Sequence, residues 1–155
     1  MTDERIDDGL VRAIRRLPPG SGVVFRHHAT PPRVRRALLR RLRRLAVARR
    51  LSFVDASGRG PATHGGPRPY TAPAHSRREA ITNARAGAHY LFVSPIHPTR
   101  THPGAAVLGI RRAAAIAHDL RPWTIALGGM TGARWRTIRH LGFDGWAAID
   151  AFVVP

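Results

Sequence analysis

The 155-residue chain is 43% hydrophobic and has no cysteine, a globular composition with core enough for one domain and no means of forming disulfides, thiolate nucleophiles or zinc–thiolate sites. Its 26 basic residues, all arginine, face 9 acidic ones for a formal charge of +17, which points to polyanionic or phosphorylated ligands or to the arginine-for-lysine habit of a GC-rich genome. No apolar run approaches the roughly 18 residues of a bilayer span, and none follows Arg15-Arg16, so a soluble cytoplasmic protein without a secretory signal is expected.

Residues 7–17 place Leu10, Ala13, Ile14 and Leu17 at helical spacing, ended by Pro18-Pro19-Gly20. The run VVFR (23–26) is long enough for a buried strand. Thr30 before Pro31-Pro32 reads as a helix N-cap with proline in the first turn. The helix it opens has Val34, Leu38, Leu42 and Leu45 as its apolar stripe and nine arginines between 33 and 50. LSFVD (51–55) is strand-like. Residues 56–69 have no period and read as loop. YTAPA (70–74) is a short strand limited by Pro73. Ser76 and Glu79 form a capping box for a helix that runs to Gly87. YLFV (90–93) is a strand, 108–119 a helix, WTIAL (123–127) a strand, and Thr131 caps a helix stopped by Gly142. GWAAID (145–150) is the last strand. Short apolar strands alternating with amphipathic helices predict a parallel sheet covered by helices. The polar ends of those strands then gather on one rim, where such folds bind ligands.

Three features of that rim carry chemistry. The loop LFVSPIHPTRTHPG (91–104) follows a strand with Thr99, Arg100, Thr101 and His102 between prolines. Its hydroxyls, backbone N–H groups and guanidinium suit a phosphate or diphosphate, although an ordinary solvated loop has the same composition. ALGGMT (126–131) puts Gly128-Gly129 before a capped helix, a backbone that can approach an anion closely, or simply a turn. His75 beside Ser76 could contact a phosphate or a leaving group, or only pack. The remaining histidines lack the i, i+4 spacing of helical zinc sites.

At this point the sequence resembles a known family. SPIHPTRTH is similar to the G-P-x-F-x-T-x-T-K loop of the thiamine-phosphate synthase family, which also includes thiazole tautomerases. AITNARAGAHYLFVSP resembles the family's A-x-x-x-G-A-D-Y stretch, WTIALGGMTGARW its P-V-V-A-I-G-G-I, and GWAAIDAF its closing G-V-A-V-I-S-A, so that residues 80–152 match nearly continuously. Upstream, VVFRHH resembles the strand bearing Q-L-R, LSFVDAS the I-N-D strand, TAPAHS the G-x-S-x-H stretch, and Met1-Thr2-Asp3 the V-T-D that ends the first strand. The resemblance implies a single TIM-type (β/α) barrel over 1–155, truncated to about six or seven of the usual eight strands. It implies a transferase that joins a pyrimidine diphosphate to a thiazole phosphate with Mg²⁺ and releases diphosphate. Carried over residue by residue, Arg26, Thr99, Arg100, Thr101 and His102 would hold the diphosphate and Gly128 and Gly129 the thiazole phosphate. His75 and His102 would be catalytic, and Asp55 would be the metal ligand.

The departures define the alternatives. The second strand-end aspartate has no counterpart, since 56–69 is too short for its strand and helix and His64-Gly65 is at most a remnant. Val54 stands for asparagine, Pro73 for serine, His102 for the loop lysine, and Asp150 for a serine beside a phosphate. A thiazole tautomerase-like isomerase or a non-catalytic phosphate-ligand binder on the same fold is the close rival. From another class, the arginine-rich 33–50 helix could bind nucleic acid, against which stand its inward-packed apolar face and its lack of interleaved aromatics. The expected partners are therefore small phosphorylated substrates, without a membrane, and a second copy of the chain could pair with an open edge strand.

Overall fold

The computed structural model describes residues 1–6, 9–57, 62–100 and 103–152. The chain divides into two compact units, Met1–Pro61 with Ile149–Pro155, and Ala62–Ala148.

In the first unit, α1 (Gly9–Arg16), β1 (Gly22–Phe25), α2 (Pro32–Ala48) and β2 (Ser52–Asp55) follow one another, and a 3-10 turn, Asp150–Phe152, completes the unit. β1 and β2 pair in parallel from Gly22 opposite Ser52 to Phe25 opposite Asp55. Parallel neighbours need a long crossover, and α2 supplies it. Leu10, Ile14, Val23, Phe25, Leu42, Ala46 and Leu51 form the core, with Phe25, Leu42 and Ala46 fully buried.

Two expectations for α2 are corrected. Thr30 is not its cap. The helix begins at Pro32 after Pro31, with no side-chain cap, and the Thr30 hydroxyl donates instead to Glu4 Oε1 at 3.0 Å. Proline at N1 has no N–H to satisfy, so the cap is least needed here. Val34 is likewise not on the buried stripe and is 57% exposed. At about 100° per residue it lies about 80° around the helix from Leu42, and the stripe runs instead through Leu38, Leu42 and Ala46.

The second unit contains β3 (Thr71–Ala74), α3 (Arg77–Arg85), β4 (Tyr90–Val93), α4 (Gly109–Ala117), β5 (Trp123–Ala126), α5 (Gly132–Ile138) and β6 (Gly145–Trp146). The strands lie in the order β3-β4-β5-β6, all parallel. Leu91 and Val93 are fully buried and Phe92 nearly so. That is why β4 reads as an unbroken apolar run rather than an alternating one. The Ser76 and Thr131 hydroxyls accept from the N–H groups of Glu79 (3.1 Å) and Arg134 (3.2 Å), so both expected caps are present.

The last strand is shorter than the sequence indicated. It ends at Trp146, one further ladder bond runs from Ala147 N–H to Ala126 O (2.8 Å), and Asp150 opens the 3-10 turn. In the stretch read as loop, His64 forms a single parallel bridge with Thr71, and its Nδ1 lies 2.9 Å from the Thr71 hydroxyl. One bridged residue is too little to show a period.

Truncating Leu91 to alanine removes fully buried volume and is expected to lower unfolding stability by about 3 kcal/mol. Val34→Ala on the exposed side of α2 should stay within about 0.5 kcal/mol of the parent. Urea midpoints of the two variants measure both.

Candidate functional site

The chemistry of the second unit is set by strand register. Ala74 lies opposite Val93, and Val93 opposite Ala126. Three neighbouring parallel strands therefore end level, and the residues that follow them share one edge.

After β3, His75 is exposed but held. The Glu79 carboxylate accepts from the His75 backbone N–H at 2.7 Å and from its Nδ1 at 3.0 Å. A carboxylate only accepts, so the ring proton is fixed on Nδ1 and Nε2 is left as the basic nitrogen. The helix cap and the histidine are therefore one device, because Glu79 of the capping box also orients the ring.

After β4, the chain turns against the end of β5. Ile96 N–H donates to Leu127 O (2.9 Å) and His97 N–H to Gly128 O (3.1 Å). Gly128 and Gly129 have φ of +94° and +60°, and each backbone is approached closely. A Cβ on Gly128 would lie 2.6 Å from Pro95 Cα, and one on Gly129 would lie 2.4 Å from Pro98 O. Only glycine fits either position. Among the described residues the N–H groups of Gly128 and Gly129 meet no acceptor, leaving two adjacent backbone donors beside the loop that carries Thr99 and Arg100. Arg134, from the first turn of α5, donates to Gly129 O. Burial, with the Arg134 cation as a smaller influence, keeps the His97 imidazole below its ordinary pKa, and its buried Nε2 has no partner among the described residues.

In the first unit, Arg26 follows β1 and is half-buried. His27, beside it, is buried and stacks on Phe25 at 4.6 Å, with Nδ1 3.0 Å from the Thr2 hydroxyl. Burial lowers its pKa. Asp55, at the end of β2, is gripped by Arg35 of α2 through Nη2–Oδ1 (2.5 Å) and Nη1–Oδ2 (3.3 Å), while Ser57 N–H also donates to Oδ1 (3.0 Å). Burial alone would raise the Asp55 pKa, but the hydrogen bonds from Arg35 and Ser57 outweigh it and the carboxyl sits below its ordinary value. Asp150, which stands where a serine was expected, is ion-paired with Arg5 at 3.9 Å.

His75, Thr99, Arg100, Gly128 and Gly129 thus lie on strand-end segments of the second unit, and Arg26 and Asp55 on those of the first. Thr101 and His102 lie outside the described residues. Sequence reasoning missed Arg35, Arg134 and His97. The first two stand in runs of like residues where nothing marks one arginine from its neighbours, and His97 is one of several loop histidines.

A family model described as thiamine monophosphate synthase matches residues 71–152. The chain belongs to that family. Among curated relatives, thiamine-phosphate synthase of Chloroflexus aurantiacus is 37% identical over 81 residues, 52% of this chain and 38% of the relative. The Geobacillus kaustophilus thiamine-phosphate synthase is 37% identical over 84 residues, 50% of this chain and 36% of that one. The match thus spans less than two fifths of either relative's length. Among solved structures, thiamine phosphate pyrophosphorylase from Pyrococcus furiosus aligns with a TM-score of 0.80 at 21% identity, over 97% of this chain and 83% of that one. The Bacteroides thetaiotaomicron thiamine phosphate pyrophosphorylase gives 0.59 at 20% identity, over 94% of this chain and 77% of that one. The parallel α/β, TIM-like fold expected from the sequence is the fold of the protein. No helix among the described residues is long and apolar enough to cross a membrane.

Gly129→Ala combines a disfavoured φ with a clash against a backbone carbonyl, whereas Gly87, at φ +92°, has open space where a Cβ would go. Gly87→Ala should cost about 1 kcal/mol and Gly129→Ala at least about twice that, measured by chemical denaturation. A second expectation concerns acid. Because the folded-state pKa of Asp55 is depressed, the stability its ion pair contributes is present at neutral pH and fades as pH falls through the carboxylate range, below about 4. Asp55→Asn should therefore be less stable than the parent at pH 7, with the gap closing toward pH 2 in thermal melts.

Proposed function

We propose that the chain is a thiamine-phosphate synthase-like transferase that joins a pyrimidine diphosphate to a thiazole phosphate. The observation that carries the reading is the pair of backbone donors at Gly128 and Gly129, which meet no acceptor among the described residues and stand beside the threonine–arginine loop in the stretch that matches the family. In this reading the Gly128-Gly129 N–H groups take the thiazole phosphate. Thr99, Arg100, Thr101 and His102 hold the diphosphate. The bond from the pyrimidine methylene carbon to diphosphate oxygen breaks, and a bond from that carbon to the thiazole nitrogen forms. Such a step gains most from donors placed where the leaving oxygen becomes negative. His75, whose Nδ1 lies against the Glu79 carboxylate, presents its Nε2 at the same rim.

Magnesium does not fit the described residues. Both oxygens of Asp55 are engaged by Arg35, and no cluster of three or more histidine, aspartate or glutamate side chains among the described residues could hold a cation. A hard divalent ion wants several oxygen ligands. The same observation favours a second reading, in which the protein is an isomerase or a binder of phosphorylated thiazole on the same fold.

Incubation with both substrates, with and without Mg²⁺, followed by chromatography for thiamine phosphate and an assay for diphosphate, tests the transferase. Product formation supports it. Retained binding of thiazole phosphate by calorimetry without any product would replace it with the second reading. In either case His75→Ala is expected to lower turnover or binding by about 10-fold or more, and a His75→Ala protein with parental turnover and parental thiazole phosphate binding would overturn the assignment of the rim.

A further inference from the structure

We propose that the outer face of α2 is a binding surface for the sugar–phosphate backbone of a double-stranded nucleic acid. α2 is a 17-residue helix without an acidic residue. Its inward face is committed to the core of the first unit through Leu42 and Ala46. Arg35 is consumed by Asp55, and Arg49 donates to Leu17 O. Six other arginines, Arg33, Arg36, Arg40, Arg41, Arg43 and Arg44, are all exposed, and none makes a hydrogen bond or ion pair with a described residue. From Arg33 to Arg44 the helix rises about 16 Å, and at about 100° per residue the six fan across its outer half. A surface helix ordinarily interleaves both signs of charge. Here an unrelieved row of cations repels itself at no visible gain to the fold.

The partner follows from charge density. A duplex carries one phosphate charge per about 1.7 Å of axis, so 16 Å of it opposes the row with about ten. Arginine is suited to such contacts because its planar fork donates bidentately to phosphate oxygens. A single strand would want aromatic platforms, and the outer face has none. A bilayer surface would want an apolar face free to insert. That of α2 faces the core, and the exposed apolar residues of the helix large enough to count are Val34 and Val47. The surface belongs to the first unit and needs nothing of the phosphate-binding rim.

Fluorescence anisotropy of a labelled 20-base-pair duplex, as DNA and as RNA, tests the proposal on the whole chain between about 50 and 200 mM salt. Four substitutions on the outer face, R33Q, R36Q, R40Q and R44Q, are compared with four charge-matched changes of exposed arginines elsewhere, R111Q, R112Q, R121Q and R136Q. The first set should weaken binding at least 10-fold and flatten the salt dependence by about four phosphate contacts, and the second should leave both nearly as in the parent. The lysine set R33K, R36K, R40K and R44K keeps the charge and should retain binding, which separates loss of contact from loss of fold. Equal loss in both glutamine sets would show a response to net charge alone and overturn the proposal. So would failure of the parent to bind at 150 mM salt, or tighter binding to vesicles of acidic phospholipid than to the duplex.

Discussion

Ala74, Val93 and Ala126 stand side by side at the carboxyl ends of β3, β4 and β5, and that alignment forces the three following segments onto one edge. Parallel strands buried on both faces have little freedom to slip. A shift of one residue would turn Leu91 and Val93 away from the helix-covered core in which they are fully buried. The rim is thus a by-product of burial, and its polar groups inherit their positions from apolar residues that touch no ligand.

The turn after β5 shows how tightly this is specified. Two glycines in left-handed conformation are ordinarily explained by the turn alone, yet Gly87 has the same backbone sign with open space around it. At Gly128 and Gly129 the missing side chains are filled by the backbone of the 95–98 segment. Donation from Ile96 and His97 to Leu127 and Gly128 holds that segment in place. The turn's carbonyls are therefore satisfied within the protein, while two of its N–H groups meet no acceptor among the described residues. A buried or half-buried donor left open in this way is costly unless water or a ligand accepts from it, which gives the turn a physical reason to attract an anion.

How far the sequence foretold this depends on the range of the interaction. Strands bounded by glycine or proline, such as YLFV at 90–93, and capping signals three residues long, such as Ser76 to Glu79, are local, and both are present in the structure as read. The rim residues His75, Gly128 and Gly129 could be placed for the same reason. What could not be read depends on groups far apart in the chain. Thr30 looks like a cap until Glu4, 26 residues away, takes its hydroxyl. Asp55, expected as a metal ligand, is met on both oxygens by Arg35, 20 residues earlier, a pairing that no local pattern announces. Val34 fails for a subtler reason: a stripe drawn by eye tolerates a drift of some 80°, and the helix does not.

The arginines show the same division between what is local and what is not, and they bear on how the molecule handles negative charge. Arg35 neutralises Asp55, Arg77 donates to the carbonyls of Ile116 and His118 at the end of α4, and Arg134 donates to Gly129. Each is held by a defined acceptor, so its charge serves the fold. At the rim, anion binding can then rest on backbone N–H groups, which carry no net charge and need no counter-ion in the empty state, together with a small number of side chains on the 94–102 loop. The large positive charge of the chain is then not explained by the rim. The cations of α2 that meet no acceptor among the described residues follow one another along one helix with at most about 6 Å of rise between neighbours, inside the roughly 8 Å over which charges act on each other at physiological salt. Their mutual repulsion is therefore only partly screened, and a polyanion laid along the helix would relieve it.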